Sequence, residues 1–139
     1  MGYGTREYDI TAKNDSKGNL MKKPSSLTLA RLAGKIAEDK KGIDPVILNV
    51  RLLSSVTDYF IIVTAGSAPQ MNAILDTIED EFREKYDIRP SHREGAAKAK
   101  WVVLDYGNLI VHVLTPEARE LFSLEKIWPD AKKSKKTKK

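Results

Sequence analysis

Two stretches of the chain repeat apolar residues at the spacing of an amphipathic helix. The first stripe follows Ser26, a potential N-cap, and consists of Leu29, Leu32, Ala33, Ile36 and Ala37. The second stripe follows a capping box formed by Ser67 and Gln70, and consists of Met71, Ile74, Leu75, Ile78 and Phe82. The pattern therefore predicts one helix from Ser26 to about residue 42, and a second helix that begins after Ser67.

Apolar runs without helical spacing predict the strands. VILNV (46–50) predicts a first strand, and the nearly continuous apolar run DYFIIVTA (58–65) is typical of a central strand covered on both faces. WVVLDY, the turn residues Gly107 and Asn108, and LIVHVL together predict a β-hairpin. IRPSHREG (88–95) predicts a short or edge strand, because Pro90 cannot donate a hydrogen bond to a neighbouring strand.

A last helix is predicted from Thr115, an N-cap, and Pro116, at the first helical position, to about Leu124. The elements then follow the order α-β-β-α-β-β-β-α, without an internal repeat. This order predicts an α/β fold in which helices cover a mixed sheet of about five strands.

The net charge of +5 belongs to the end of the chain rather than to the predicted domain. The last eight residues, KKSKKTKK, contain six lysines and no acidic residue. Residues 26–131 carry 13 basic and 16 acidic side chains, a net charge of −3. We expect a flexible polar leader (1–25), a folded domain (26–131) and a disordered lysine-rich tail (132–139).

The composition excludes several classes of site. The chain has no cysteine, which rules out disulfides, thiolate catalysis and cysteine zinc sites. No apolar run approaches the ~20 residues that span a bilayer, and the first 25 residues lack the apolar core of a signal peptide. A cytoplasmic protein is the expectation.

Asp105 and His112 are the strongest candidates for acid–base chemistry. A tight turn between them places Trp101, Val103 and Asp105 on one face of the hairpin together with Ile110 and His112. The hairpin could therefore bring the two side chains close, but the sequence offers no activated nucleophile to complete a triad. Structural roles are favoured for both residues, and a small hydrolase or transferase that uses Asp105 and His112 is the alternative.

Metal chemistry has less support. Glu79 and Glu81 follow Gly66-Ser67 with the spacing of nucleotidyltransferase carboxylates, but they fall within the predicted helix, where residues i and i+2 point apart. The two histidines, His92 and His112, lie on different predicted strands. We therefore predict no catalytic metal site and no cofactor.

Aromatic residues beside an acidic domain favour a protein-binding function. Trp101, Tyr106 and Trp128 are of the types that dominate binding interfaces, and Tyr106, at a turn, is expected to be exposed. The lysine tail contains no aromatic residue that stacks on bases, so any RNA contact through it is non-specific. A merely solubilising tail is the alternative.

Five motifs, in this order and spacing, resemble the ribosomal silencing factor (Iojap-related) family: TDYFIIVTAGS, HREG, WVVLDYG, LIVHV and ARELFSLEKIW. The resemblance covers about residues 27–131 and implies a nucleotidyltransferase-like but non-catalytic fold. It also implies that the protein binds the large ribosomal subunit through ribosomal protein L14. Joining of the small subunit is then blocked sterically and translation is repressed.

The resemblance maps the partner-binding residues onto the hairpin and the last helix. They are Trp101, Leu104, Asp105, Tyr106, Gly107, Arg119, Phe122, Glu125 and Trp128. Gly107 is expected to have a positive φ and Tyr106 to project toward the partner. The family resemblance also implies a homodimer. Two positions depart from the family pattern, since Ala65 precedes Gly66-Ser67 and Asn108 follows the hairpin glycine.

Overall fold

A computed structural model describes residues 4–9, 24–52, 54–95 and 100–122. Its elements are β1 (Arg6–Asp9), α1 (Ser26–Asp39), β2 (Ile43–Asn49), β3 (Tyr59–Thr64), α2 (Ala68–Tyr86), β4 (His92–Glu94), β5 (Trp101–Asp105), β6 (Leu109–Leu114) and α3 (Pro116–Phe122). The strands form one sheet in the order β1-β2-β3-β6-β5-β4. The predicted mixed α/β fold is confirmed.

Both strand directions occur within the sheet. β1 runs parallel to β2, and the central β3 runs parallel to β6. The pairs β2–β3, β5–β6 and β4–β5 are antiparallel. The parallel β3–β6 pair requires a long crossover connection, which here contains α2, β4 and β5.

Two apolar layers lie on opposite faces of the sheet. The first face carries residues such as Ile61, Leu104 and Val111, and packs against α1 and α2. The second face carries residues such as Leu48, Ile62 and Leu114, and packs against Ala118 of α3. The central strand β3 is therefore buried on both sides, as its near-continuous apolar sequence predicts.

Local capping interactions set the starts of the two long helices. The hydroxyl of Ser25, rather than that of Ser26, caps α1 by accepting a hydrogen bond from the backbone N–H of Thr28 at 3.0 Å. Ser67 caps α2 as predicted, since its hydroxyl accepts a hydrogen bond from the Gln70 N–H at 3.2 Å, but the return bond of the capping box goes to Gly66 rather than to Ser67. The side-chain oxygen of Gln70 in turn accepts from the backbone N–H of Gly66 at 2.6 Å.

The amide group of Gln70 also reaches the other helix. Its nitrogen donates to the backbone oxygens of Lys40 and Lys41, at 3.0 and 2.7 Å. The start of α2 is thereby fixed to the end of α1.

Residues 6–9, which lie within the predicted leader, form β1. This strand adds a sixth member to a sheet predicted to have about five. The sequence does not reveal β1, because the segment REYD is short, polar and without an alternation of apolar and polar residues. The strand also docks through residues that lie far along the chain. By contrast, β4 is short and lies at the other edge of the sheet, as Pro90 predicts.

Three expectations fall outside the described residues. α3 is described to Phe122, so its predicted end near Leu124, the domain limit at 131 and the lysine tail lie beyond them. Within the described ranges, no helix combines the length and the apolar character needed to cross a membrane.

Candidate partner-binding surface

The β5–β6 hairpin separates the predicted site residues onto two faces. Val103 lies opposite His112 and Asp105 lies opposite Ile110, which confirms the predicted pairing of odd with even positions. Asp105 and His112 therefore share the second face of the sheet. Leu104 points to the first face and belongs to the core beneath α1 and α2.

Asp105 organises the hairpin turn. One oxygen of its carboxylate accepts a hydrogen bond from the backbone N–H of Gly107 at 2.8 Å. Gly107 has a φ of 88°, as predicted, whereas a Cβ there would meet nothing within 4 Å. The backbone conformation, and not a lack of space, therefore favours glycine at this position.

His112 is a structural residue of the second face. It is 7% exposed, and its Nδ1 accepts a hydrogen bond from Nε1 of Trp101 at 3.1 Å. The ring of Phe60 packs against it in an edge arrangement, with 4.7 Å between centroids. Burial lowers the pKa of His112 to about 4, so the ring is neutral at pH 7. With Nδ1 accepting, Nε2 carries the proton, and no described residue accepts a hydrogen bond from it.

The described contacts do not assemble an Asp105–His112 dyad. The Asp105 carboxylate is bonded to its own turn, and Nδ1 of His112 is engaged by Trp101. A cleft of about 920 Å³ does lie near the hairpin, but Tyr106 and Asn108 line it rather than Asp105 or His112. In the described part of the chain, no cluster of three or more His, Asp or Glu side chains is suited to a metal ion.

Leu104 is buried and Tyr106 is only partly exposed, so both are less accessible than expected of partner-contacting residues. Leu104 is fully buried. The Tyr106 ring lies 4.9 Å from that of Phe82, and its hydroxyl is buried without a partner among the described residues. Burial raises the pKa of Tyr106 well above its ordinary value; Glu79 adds to this effect and Arg93 opposes it. The alternation along β5 explains both positions, because it directs residues 104 and 106 to the first face.

Arg119 holds α3 against the sheet. Its side chain is 12% exposed, and it donates to the hydroxyl of Thr64 at 2.9 Å and to the carboxylate of Asp44 at 3.3 Å. These contacts give it an internal structural role in addition to the predicted contact role. Phe122 is the last residue of α3, with a side chain outside the described set, and Glu125 and Trp128 lie beyond the described residues.

The structure groups five residues on the second face at the β4 edge, which we call the β4–β5 surface. The strand register places His92 opposite Asp105 and Glu94 opposite Val103, and Trp101 begins the same row. The surface comprises His92, Glu94, Trp101, Val103 and Asp105. The period-two spacing of His92 and Glu94 indicates a shared strand face, but the sequence did not assign Glu94 to the partner-binding residues.

Helix α3 extends this surface at the Trp101 end. Glu117 forms an ion pair with Lys100, the residue before β5, at 3.2 Å. Leu121 is 76% exposed, which is unusual for a leucine on a helix that packs against a core. Helix α3 thus contributes an exposed apolar side chain, Leu121, and a carboxylate, Glu117, that is paired with the residue before Trp101.

A family model described as "Ribosomal silencing factor during starvation" matches residues 23–139. The chain belongs to the ribosomal silencing factor family. This confirms the resemblance carried by the sequence motifs, and it is a family of ribosome-associated regulators rather than of catalysts. The match includes residues 132–139, which the sequence analysis placed outside the family pattern, and excludes β1.

Individual relatives agree with the family match. Ribosomal silencing factor RsfS of Bacillus subtilis is 35% identical over 104 residues, 75% of this chain and 87% of the relative. RsfS of Haemophilus influenzae is 41% identical over 88 residues, 63% of this chain and 85% of the relative. A crystal structure of a protein from Chromobacterium violaceum superposes with a TM-score of 0.71 at 27% identity, covering 76% of this chain and 88% of that one.

Proposed function

We propose that this protein represses translation by binding the large ribosomal subunit through ribosomal protein L14 and sterically blocking the joining of the small subunit. The observation that carries the proposal is the family match over residues 23–139. The protein then acts by occupying a surface and has no catalytic step. The separate engagements of Asp105 and His112 support this view.

The β4–β5 surface, together with α3, is the proposed contact site. Glu94 and Asp105 place carboxylates on the same sheet face as the partly exposed Trp101, and Glu117 pairs with the residue before it. This combination suits a basic ribosomal protein, because aromatic side chains supply contact area and carboxylates steer lysines and arginines toward it. Ion pairs at the rim of an interface are worth about 0.2–1 kcal/mol each, so they act mainly on the association rate.

Two residues predicted to contact the partner instead support this surface by packing beneath it. Tyr106 packs on Phe82 beneath the hairpin, and Leu104 fills the core under β5. Both fix the position of the strand that presents Trp101 and Asp105. Gly107 has a similar role, because it allows the turn that Asp105 closes.

Further parts of the proposal rest on the family resemblance and the charge distribution. The lysine tail adds non-specific attraction to ribosomal RNA, and the isolated protein forms a homodimer. A factor that acts on ribosomal subunits works in the compartment that holds them, and we assign it to the cytoplasm on that ground.

Co-sedimentation with isolated large subunits, run in parallel with a subunit-joining assay, tests the proposal. The wild-type protein should sediment with large subunits and reduce joining. The double variant Glu94→Lys/Glu117→Lys, which leaves the turn-closing Asp105 in place, should lose most of both effects, because it places positive charge against a basic partner. Binding without an effect on joining, or no binding at all, would refute the proposed function.

Glu84→Lys provides the matched control. Glu84 is an exposed carboxylate on α2, away from the β4–β5 surface. This variant should sediment and block joining as the wild type does. Equal loss in the control and in the surface variant would show that overall charge, and not the β4–β5 surface, determines binding.

A further inference from the structure

The β2 edge of the sheet holds an extended segment of the leader, β1. The pairing is parallel and covers four residues, with Arg6 opposite Val46 and Tyr8 opposite Leu48. So short a parallel ladder supplies few backbone hydrogen bonds. Side-chain contacts must therefore determine which segment docks here.

Two ion pairs select for charge along the docked strand. Glu7 accepts two hydrogen bonds from the guanidinium of Arg31 on α1, at 2.7 and 2.9 Å. Arg6 forms an ion pair with Asp44, near the start of β2. All four side chains are substantially exposed, so salt weakens both pairs.

Two steric contacts select for side-chain size. Thr5 lies so close to α1 that a Cβ at Gly34 would be 2.6 Å from its hydroxyl oxygen. The same hydroxyl donates to the carboxylate of Glu38 at 2.6 Å. At the other end, Tyr8 is 4% exposed and packs in the second-face core with Val46 and Leu48. The site thus selects a small hydroxylated residue and, three residues later in the sequence, an aromatic residue.

The docked strand lies outside the domain that the family match covers, which begins at residue 23. Residues 10–25 connect β1 to α1. A connection of this length supplies the leader at an effective concentration in the millimolar range. Weak contacts are then sufficient to keep the site filled, and a competing segment has to overcome this local concentration.

We propose that the β2 edge is a peptide-acceptor site for an extended segment of the form Thr-Arg-Glu-Tyr, and that the leader of this chain occupies it reversibly. The site consists of the free backbone edge of β2, the point on α1 where Gly34 leaves room for a small residue, and the side chains of Arg31 and Asp44. Release of the leader leaves the remaining five strands and the two long helices in place. This inference is independent of the proposed ribosomal function.

The test uses the full chain with an undocking double variant, Glu7→Lys/Tyr8→Ser, and a synthetic peptide of residues 4–9 as the probe. Amide resonances of β2 and of α1 near Arg31 should shift saturably as peptide is added to this variant. Wild-type protein should need at least tenfold more peptide, because its own leader competes. A scrambled peptide of the same composition should bind at least tenfold more weakly.

A charge exchange tests whether the observed contacts carry the recognition. For this test residue 7 of the tethered leader is made neutral (Glu7→Ser/Tyr8→Ser), so that it cannot pair with a charge at position 31. Adding Arg31→Glu to that variant should weaken binding of the native peptide about three- to tenfold, and a peptide with Glu7→Arg should restore it. Raising the salt concentration to about 0.5 M should also weaken binding several-fold, since the ion pairs are exposed.

Three outcomes would overturn the proposal. They are absence of saturable binding to the undocking variant, equal binding of the scrambled peptide, and failure of the exchanged peptide to rescue Arg31→Glu. Loss of the folded spectrum in the undocking variant would overturn it as well, because β1 would then be required for folding rather than docked reversibly.

Discussion

At the scale of single residues, His112 couples the stability of the fold to pH. Its pKa is about 4 in the folded protein and about 6.5 in an unfolded chain, so the unfolded state binds a proton more readily. The stabilisation is complete above pH 6.5 and is lost as the pH falls toward 4. A shift of this size corresponds to a free-energy change on the order of 3 kcal/mol.

Urea unfolding at pH 7.5 and pH 4.5 measures this effect. Between the two values the wild type should lose about 2–3 kcal/mol more stability than His112→Gln, which keeps an acceptor for Trp101 but does not titrate. His92→Gln, at the exposed histidine, should behave as the wild type does. An equal pH response in wild type and His112→Gln would show that His112 is not buried as described.

Tyr106 is a packing residue, and two substitutions separate its ring from its hydroxyl. Tyr106→Phe removes a buried polar atom that lacks a partner among the described residues, so stability should stay unchanged or rise by up to about 1 kcal/mol. Tyr106→Ala removes the contact with Phe82 and should cost about 2–4 kcal/mol. Urea unfolding gives both values. Large-subunit binding by Tyr106→Phe should remain intact, and a loss there would mean that the hydroxyl contacts the partner directly.

At the scale of elements, α3 is held to the sheet by Arg119. The bond to Thr64 joins residues that are 55 positions apart in sequence, and the bond to Asp44 joins residues 75 apart. A double-mutant cycle with Arg119→Met and Thr64→Val isolates the first of these. We expect a coupling energy of about 0.5–1.5 kcal/mol from unfolding measurements. A coupling energy near zero would mean that α3 is positioned by its apolar contacts alone.

The sequence predicted those elements whose signal is local. Apolar spacing gave α1 and α2, and the alternation along WVVLDY and LIVHVL gave the hairpin register correctly. β1 escaped prediction because Tyr8 is its only described side chain that is buried, and because Arg31, Gly34 and Asp44 receive the strand from distant positions. The roles of Arg119 were hidden for the same reason.

Tyr106 is less exposed than its place in the sequence suggested, for a different reason. Its position beside a turn suggested exposure, but its strand parity already placed it with Leu104 on the first face. A tyrosine is long enough to reach from a turn back over the core and contact Phe82. The odd or even position of a residue along the strand, which sets the face it occupies, was therefore a better guide to burial than its closeness to the turn.

At the scale of the whole molecule, charge is divided between an acidic domain and a basic tail. Residues 26–131 carry a net charge of −3, and residues 132–139 contain six lysines. If the domain binds ribosomal protein and the tail adds attraction to RNA, deletion of residues 132–139 should weaken large-subunit binding only modestly. It should also reduce the dependence of binding on salt concentration. Sedimentation at several salt concentrations measures both, and abolition of binding would assign recognition to the tail.

Gln70 shows how a non-local contact restricts evolutionary exchange. Glutamate and glutamine are equivalent in an ordinary capping box, because only an acceptor is needed there. Here the same side chain accepts from Gly66 and donates to the carbonyl oxygens of Lys40 and Lys41. A glutamate would turn its second oxygen toward two carbonyl oxygens and repel both. Among homologues that keep this helix junction, the position should therefore accept glutamine and reject glutamate, although the two side chains have the same shape.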